Sequence, residues 1–216
     1  MNKDVNLRDL RRDYNKFELI REDLQADPIE QMRAWMSDAI EAKEDEANAM
    51  TLATVRADGR PDARIVLLKE IEEIGLVFYT NYESKKGKQM AENGFASVVF
   101  FWHNLHRQLR VSGKIEKIDA EDSDQYFHSR PLDSQIGAIV SPQSTVIQDK
   151  TELEDNFKKI KENLAPNTNI ERPNHWGGYR LIPDLFEFWQ GRSSRLHDRF
   201  EYQLHDGKWK IVQLAP

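Results

Sequence analysis

AMTLATVRADGRPDARIVLLK, residues 49–69, is the stretch on which the architecture turns. Ala49 to Val55 and Ala63 to Lys69 have strand composition, and Asp58-Gly59 between them is the turn chemistry of a β-hairpin. Three runs of the same character follow: GLVFYT (75–80), FASVVFFW (95–102) and RQLRVSGKIEKI (107–118). Five strands in sequence with few long crossovers predict an antiparallel barrel rather than a parallel sheet. Between them, Ser84 as cap and Asn93-Gly94 as stop bound a short helix. Ahead of the hairpin, Met32, Trp35, Met36, Ala39 and Ile40 share one face of a predicted helix from Pro28 to Lys43. Asp27 caps it, and Glu30 stands where a capping box needs it. Residues 120–140 and 150–164 read as helices, with Leu153, Phe157, Ile160 and Leu164 as a buried stripe in the second. Strand patterns return in WGGYRLI, FEFWQ, RLHDRFEYQL and KWKIVQL, and His205-Asp206-Gly207 is a final hairpin turn. The fold class is mainly β, a barrel with helices packed around it.

The 216 residues suit one domain, 39% of them hydrophobic and 31% charged, with no linker-like break in composition. No apolar run approaches a membrane span, and the N-terminal MNKDVNLRDLRRDYNKFEL has no signal core. Zero cysteines exclude disulfides and thiolate chemistry and fit a cytoplasmic protein. A net charge of −6 disfavours nucleic acid and anionic lipid as partners. Basic residues nonetheless form islands at Arg11-Arg12, at Lys85, Lys86 and Lys88, and at Arg192, Arg195 and Arg199, which suit small anions such as phosphates.

Several segments could bind such anions. In RIVLLK, Arg64 and Lys69 stand at opposite ends of an apolar strand, either capping it in solvent or each meeting an anion. Thr80, Ser84, Lys85 and Lys86 lie at a strand-to-helix junction, where free N–H groups and the helix dipole favour phosphate. Tyr126, Arg130 and Ser134 recur every fourth residue and would line one helix face, although Pro131 interrupts it. If residues 195–199 are extended, Arg195, His197 and Arg199 share a face that is either a solvated strand edge or an anion receptor. His103 and His106 form HNLH with no third ligand nearby, so no metal site is expected.

The stretch Phe186–Arg199, FEFWQGRSSRLHDR, resembles the signature of the pyridoxine (pyridoxamine) 5′-phosphate oxidase family. The similarity extends to LRRDY (10–14), RIVLLK, VFYTN with Ser84 following, YFHSRP with DSQIGA, and the terminal LAP. The resemblance implies a split β-barrel homodimer that binds FMN near the subunit interface. It further implies oxidation of pyridoxamine 5′-phosphate and pyridoxine 5′-phosphate by dioxygen to pyridoxal 5′-phosphate, releasing hydrogen peroxide, and ammonia from the amine. The FMN contacts it implies are Arg64, Ile65, Val66, Leu67, Leu68, Tyr79, Thr80, Lys85, Lys86, Gln108, Gln143, Ser144, Trp189 and Arg199. Substrate contacts are Lys69, Tyr126, Arg130 and Ser134 around the phosphate, with Arg195 and His197 over the ring as the catalytic pair. Arg195 is expected to orient the substrate, and His197 to hydrogen-bond or handle a proton. Arg11 and Tyr14 resemble the family's N-terminal arm, here residues 1–26, that folds over bound substrate.

Three features depart from the family pattern. Lys85 stands where arginine is common, Glu46 where aspartate is common, and Arg192-Ser193-Ser194 is a variable insert. A flavin reductase with another substrate and a non-catalytic flavin or pyridoxal phosphate carrier are the competing readings. A phosphate-free substrate would not need Tyr126, Arg130 and Ser134, and peroxide formation separates an oxidase from a carrier.

Overall fold

The computed structural model describes residues 8, 14, 16–165 and 169–216. Helix α1 (Pro28–Glu41) starts where Asp27 accepts a hydrogen bond from Ile29 N at 2.8 Å, with proline in the first turn. The capping box does not form, because Glu30 turns instead to Arg33 one turn on. Met32, Trp35, Met36 and Ala39 are buried as the periodicity requires, whereas Ile40 is 63% exposed and lies off the stripe.

The elements that follow are β1 (Ala49–Val55), β2 (Pro61–Leu67), β3 (Glu70–Ile71), β4 (Leu76–Asn81), α2 (Lys85–Asn93), β5 (Phe95–Trp102) and β6 (Arg107–Lys117). Then come α3 (Ala120–Ser129), α4 (Leu132–Val140), α5 (Thr151–Asn163), β7 (Trp176–Gln190), β8 (Asp198–His205) and β9 (Lys208–Gln213). The described residues fall into two compact units. One draws on Met1–Ala47, Val99–Val111 and Leu185–Pro216; the other comprises Asn48–Val98 and Ser112–Asp184.

In the second unit the hairpin forms as read, antiparallel with Ala49 opposite Leu67, and Gly59 takes the left-handed backbone (φ 81°) its turn demands. Strand order along the sheet is β2-β1-β5-β6-β7-β4-β3. Alternation along β1 buries Met50, Leu52 and Thr54 on one face. Ser84 caps α2 by accepting from Gly87 N, and Gly94 ends it at φ 76°. The helical reading of 120–140 splits at Pro131, which has no N–H to donate and forces Arg130 into an extended conformation (ψ 151°). In α5 the Leu153, Phe157, Ile160 and Leu164 stripe is half-buried rather than buried.

In the first unit, the second half of β7 pairs with β8 (Leu185 opposite Gln203) and β8 pairs with β9. The β8–β9 turn uses Asp206 and Gly207, both at positive φ. Aromatic edges fill the core here: Trp35 meets Phe188 at 4.9 Å and 89°, and Phe188 meets Tyr202 at 5.3 Å. The Tyr202 hydroxyl donates to Gln25 O, and burial pushes its phenol up to about 12.

Two strand readings are corrected. WGGYRLI and FEFWQ are a single 15-residue strand that continues through Pro183. Residues 193–195 are a 3₁₀ turn with Ser194 and Arg195 at φ 56° and 63°, and β8 begins only at Asp198. Arg195, His197 and Arg199 therefore do not sit on one continuous strand face.

Candidate active site

A cavity of about 670 Å³ opens in the second unit between the β2 end, β4 and the α3–α4 junction. It collects Ile65, Val66, Leu67, Lys69, Tyr79, Thr80, Lys86, Tyr126, Arg130, Ser134 and Gln143, which the sequence places on five separate segments. Both the implied flavin residues and the implied substrate-phosphate residues are represented in this one cavity. Asn81, Ser141 and Trp176 also line it; Asn81 belongs to the VFYTN stretch of the resemblance, whereas no pattern in the sequence singled out Ser141 or Trp176.

In the cavity wall, Lys86 is only 9% exposed, and its Nζ donates to two neutral oxygens, Thr80 Oγ1 (3.2 Å) and Gln143 Oε1 (3.0 Å). Burial, and then the Arg64 charge, hold its ammonium below the ordinary lysine range. A desolvated cation held by neutral partners favours an incoming anion. Arg64 does not line the cavity. Its guanidinium pairs with Asp62 at 2.8 Å and donates to Leu52 O and Gln89 Oε1. Hydrogen bonds from Gln89, together with Arg64, keep Asp62 below the usual carboxylate range. Leu68 is buried, with its N–H bonded to Asn48 O, while Lys85 and Ser144 are exposed, the latter at φ 70°.

Arg130 lines the same cavity. Burial lowers its pKa, its Nη2 donates to Ser134 O at 2.8 Å, and its buried Nη1 has no hydrogen-bond partner. A buried guanidinium N–H without an acceptor is costly, so this atom marks a place for an anionic oxygen. Although Pro131 breaks the helix, Tyr126, Arg130 and Ser134 still line one cavity. Tyr126 stacks on Tyr79 at 3.8 Å, and Lys69 Nζ lies 6.0 Å from the Tyr126 ring centre. Burial and then Glu70 raise the Tyr79 phenol, so it is a hydrogen-bond donor at neutral pH.

The remaining implied residues belong to the first unit. His197 lies 4.6 Å from Trp189 and 6.0 Å from Tyr14 between ring centres, and Tyr14 packs on His106 at 4.5 Å. The Arg192 N–H donates to His197 Nδ1 at 3.0 Å, which leaves the ring proton on Nε2. Burial and the Arg195 charge lower the His197 pKa, which favours this neutral form. In this arrangement His197 presents its Nε2–H as a donor. Arg195 is exposed and Gln108 half-buried. Arg199 is engaged by the buried Glu187 at 2.9 Å and by Ala215 O at 2.8 Å, with Arg110 on the other oxygen of Glu187. Arg11 lies outside the described residues. Glu46 has positive φ (49°), and Arg192 bridges Glu18 and Asp198 at 3.0 Å each. Among the described residues no group of three or more His, Cys, Asp or Glu side chains could hold a metal ion, and no helix is long and apolar enough to cross a membrane.

The lining is compatible with a flavin that carries a phosphate: Lys86 and Thr80 offer donors for an anion, and Ile65, Val66 and Leu67 offer apolar wall. Arg130 is separately available for a second anion.

Comparison with known proteins agrees. The family model described as pyridoxamine 5′-phosphate oxidase matches residues 36–163, and that described as the pyridoxine 5′-phosphate oxidase C-terminal dimerisation region matches 176–216. The pyridoxine/pyridoxamine 5′-phosphate oxidase of Salinibacter ruber is 49% identical over 212 residues, covering 97% of this chain and 99% of that protein. The protein of the same name from Thermosynechococcus vestitus is 50% identical, covering 98% and 100%. Among solved structures, PhzG from Burkholderia lata, in complex with tetrahydrophenazine-1-carboxylic acid, superposes with a TM-score of 0.86 at 30% identity over 92% of this chain and 98% of that one. A pyridoxamine 5′-phosphate oxidase-related FMN-binding protein from Nostoc punctiforme has a TM-score of 0.68 at 21% identity, covering 89% and 100%, and shares the fold. The fold class is mainly β, as the strand series led one to expect, and a split barrel, as the family resemblance implied; this chain belongs to the pyridoxamine 5′-phosphate oxidase family.

Proposed function

We propose that the chain oxidises pyridoxamine 5′-phosphate and pyridoxine 5′-phosphate to pyridoxal 5′-phosphate with bound FMN and dioxygen, forming hydrogen peroxide, and ammonia from the amine. The observation that carries this reading is the Arg130 Nη1 without a partner, in the same cavity as the desolvated Lys86 ammonium. One cavity lined by Lys69, Lys86 and Arg130 suits two phosphate esters, those of cofactor and substrate.

When bound, FMN supplies the two-electron acceptor and passes the electrons to dioxygen. Lys86 and Thr80 hold its phosphate. Lys69, Tyr126, Arg130 and Ser134 hold the substrate phosphate, and this remote anchoring aligns the reacting carbon. Arg195 orients the pyridine ring, and His197, through Nε2–H, donates a hydrogen bond to the substrate. Arg11 and Tyr14 belong to an arm that covers it. The matched dimerisation region, and the scatter of family-implied flavin residues from Arg64 to Arg199, support a homodimer.

Purified protein supplied with pyridoxamine 5′-phosphate in air tests the proposal, with peroxide, aldehyde and extracted flavin all measured. Equal peroxide and pyridoxal 5′-phosphate with FMN extracted is the expected result. Bound FMN without turnover would leave a carrier, and extracted FAD would overturn the cofactor assignment.

A further inference from the structure

Three contacts hold the Arg130 guanidinium, the weakest being the Phe127 ring at 5.9 Å from its Cζ. Its Nη2 donates to Ser134 O at 2.8 Å, and its Cζ lies 4.5 Å from the ring centre of Trp176. The tryptophan is itself held fast. It is 7% exposed, and its carbonyl accepts from Arg172, whose Nε pairs with Asp124 on α3. Its ring runs nearly parallel to Tyr126 (5°, 6.2 Å) and meets Phe127 at 65° and 5.4 Å. The first residue of β7 is thus locked against the helix that leads into Arg130.

We propose that Trp176 is a positioning residue for phosphate-ester recognition. Its rigid π face holds the Arg130 cation so that Nη1 keeps a free N–H for the substrate phosphate. The chemistry explains why an aromatic ring stands here rather than an acid. A carboxylate would hold the guanidinium equally well, but it would occupy the donors and cancel the charge the phosphate needs. A ring face attracts the cation and leaves every N–H available. Arg130 sits after α3 with an extended backbone, so helix geometry alone does not aim it, and an external platform is needed.

This inference rests on reading the cavity as a phosphate-ester site. Its test combines Trp176→Leu, Trp176→Phe, Arg130→Ala and the Trp176→Leu/Arg130→Ala double variant. Each is assayed for KM and kcat with pyridoxamine 5′-phosphate, for FMN content, and for equilibrium binding of pyridoxal 5′-phosphate. Trp176→Leu should raise KM and the dissociation constant roughly 3- to 30-fold, the span of a partly to fully desolvated cation–π contact, with kcat and FMN content within about twofold. Trp176→Phe keeps a ring face and should recover most of the loss. In the Arg130→Ala background Trp176→Leu should add nothing, because the tryptophan acts through the arginine. Unchanged binding in Trp176→Leu, no rescue by phenylalanine, or the full effect persisting without Arg130 would each overturn the proposal. Wild-type protein that fails to turn over yet shows this ranking in the binding arm would refute the oxidase reading and leave the role of Trp176 standing.

Discussion

Replacing Lys86 with methionine should move two properties in opposite directions. Methionine keeps most of the side-chain length and removes the charge. In the apoprotein the ammonium is 9% exposed, and its hydrogen-bond partners, Thr80 Oγ1 and Gln143 Oε1, are neutral and lie within 3.2 Å of each other. Removing it relieves the desolvation of a cation and leaves those two groups bonded to one another. The apoprotein should therefore gain about 1 kcal/mol, or about 2–4 °C in Tm for a chain of this size. The holoprotein should lose instead. A buried phosphate deprived of a charged donor costs roughly 2–5 kcal/mol, a 30- to 4,000-fold rise in the FMN dissociation constant. Flavin fluorescence titration and calorimetry of the flavin-stripped protein read the two arms. An unchanged FMN dissociation constant would show that Lys86 does not face the phosphate, and a fall in apoprotein Tm would show that the charge is compensated in a way the contacts do not reveal.

His197→Gln, which can present an N–H near the Nε2 position, should hold kcat/KM within about threefold, whereas His197→Asn should lose roughly 10- to 100-fold for want of that donor. Glutamine as damaging as asparagine would restore a proton-accepting role for the ring. Because the folded His197 pKa lies below its ordinary 6.5, the unfolded chain binds the proton more readily. Stability should fall as pH drops through 6.5 towards the folded value, and His197→Gln should flatten that limb in acid unfolding curves. In sedimentation at micromolar concentration the FMN-loaded protein should run as a dimer; a monomer with full flavin occupancy would contradict the shared-interface reading.

Local chemistry made much of the fold legible. Asp58-Gly59 and Asp206-Gly207 each form the turn their residue types favour, and Ser84 and Gly94 bound α2 as caps. Errors arose where a residue's local preference was not what decided its conformation. WGGYRLI and FEFWQ read as separate strand patterns, yet pairing along β7 carries one strand through Pro183 and Asp184 between them. Alternation at 195–199 suggested a strand, but Ser194 and Arg195 take left-handed turns that spacing does not encode. In the cavity, Lys69, Tyr126, Arg130 and Ser134 stood out by residue type and spacing as anion-binding candidates, but side-chain spacing across Pro131 left the helix face open, and their substrate role came only from the family resemblance. Trp176 gave no signal because its partner, Arg130, is 46 residues away in sequence and the contact is tertiary. The orientation of Arg64 towards Asp62 was also invisible, although both are on β2.

Both compact units draw on β7, the second through the pairing of β4 with Trp176 to Leu181, the first through the pairing of β8 with Leu185 to Gln190. During synthesis β4 therefore waits for about a hundred residues before its partner leaves the ribosome, and the unit that holds the cavity cannot close until the chain has passed Asp184. Until then β4, with Leu76, Val77 and Phe78 all destined for burial, is an apolar strand paired on one side only, with the two-residue β3. Such late, long-range pairing slows folding and prolongs exposure of aggregation-prone surface. Expression yield should accordingly respond more to growth temperature and chaperone supply than to substitutions in the early β1–β2 hairpin, whose strands meet as soon as they are made.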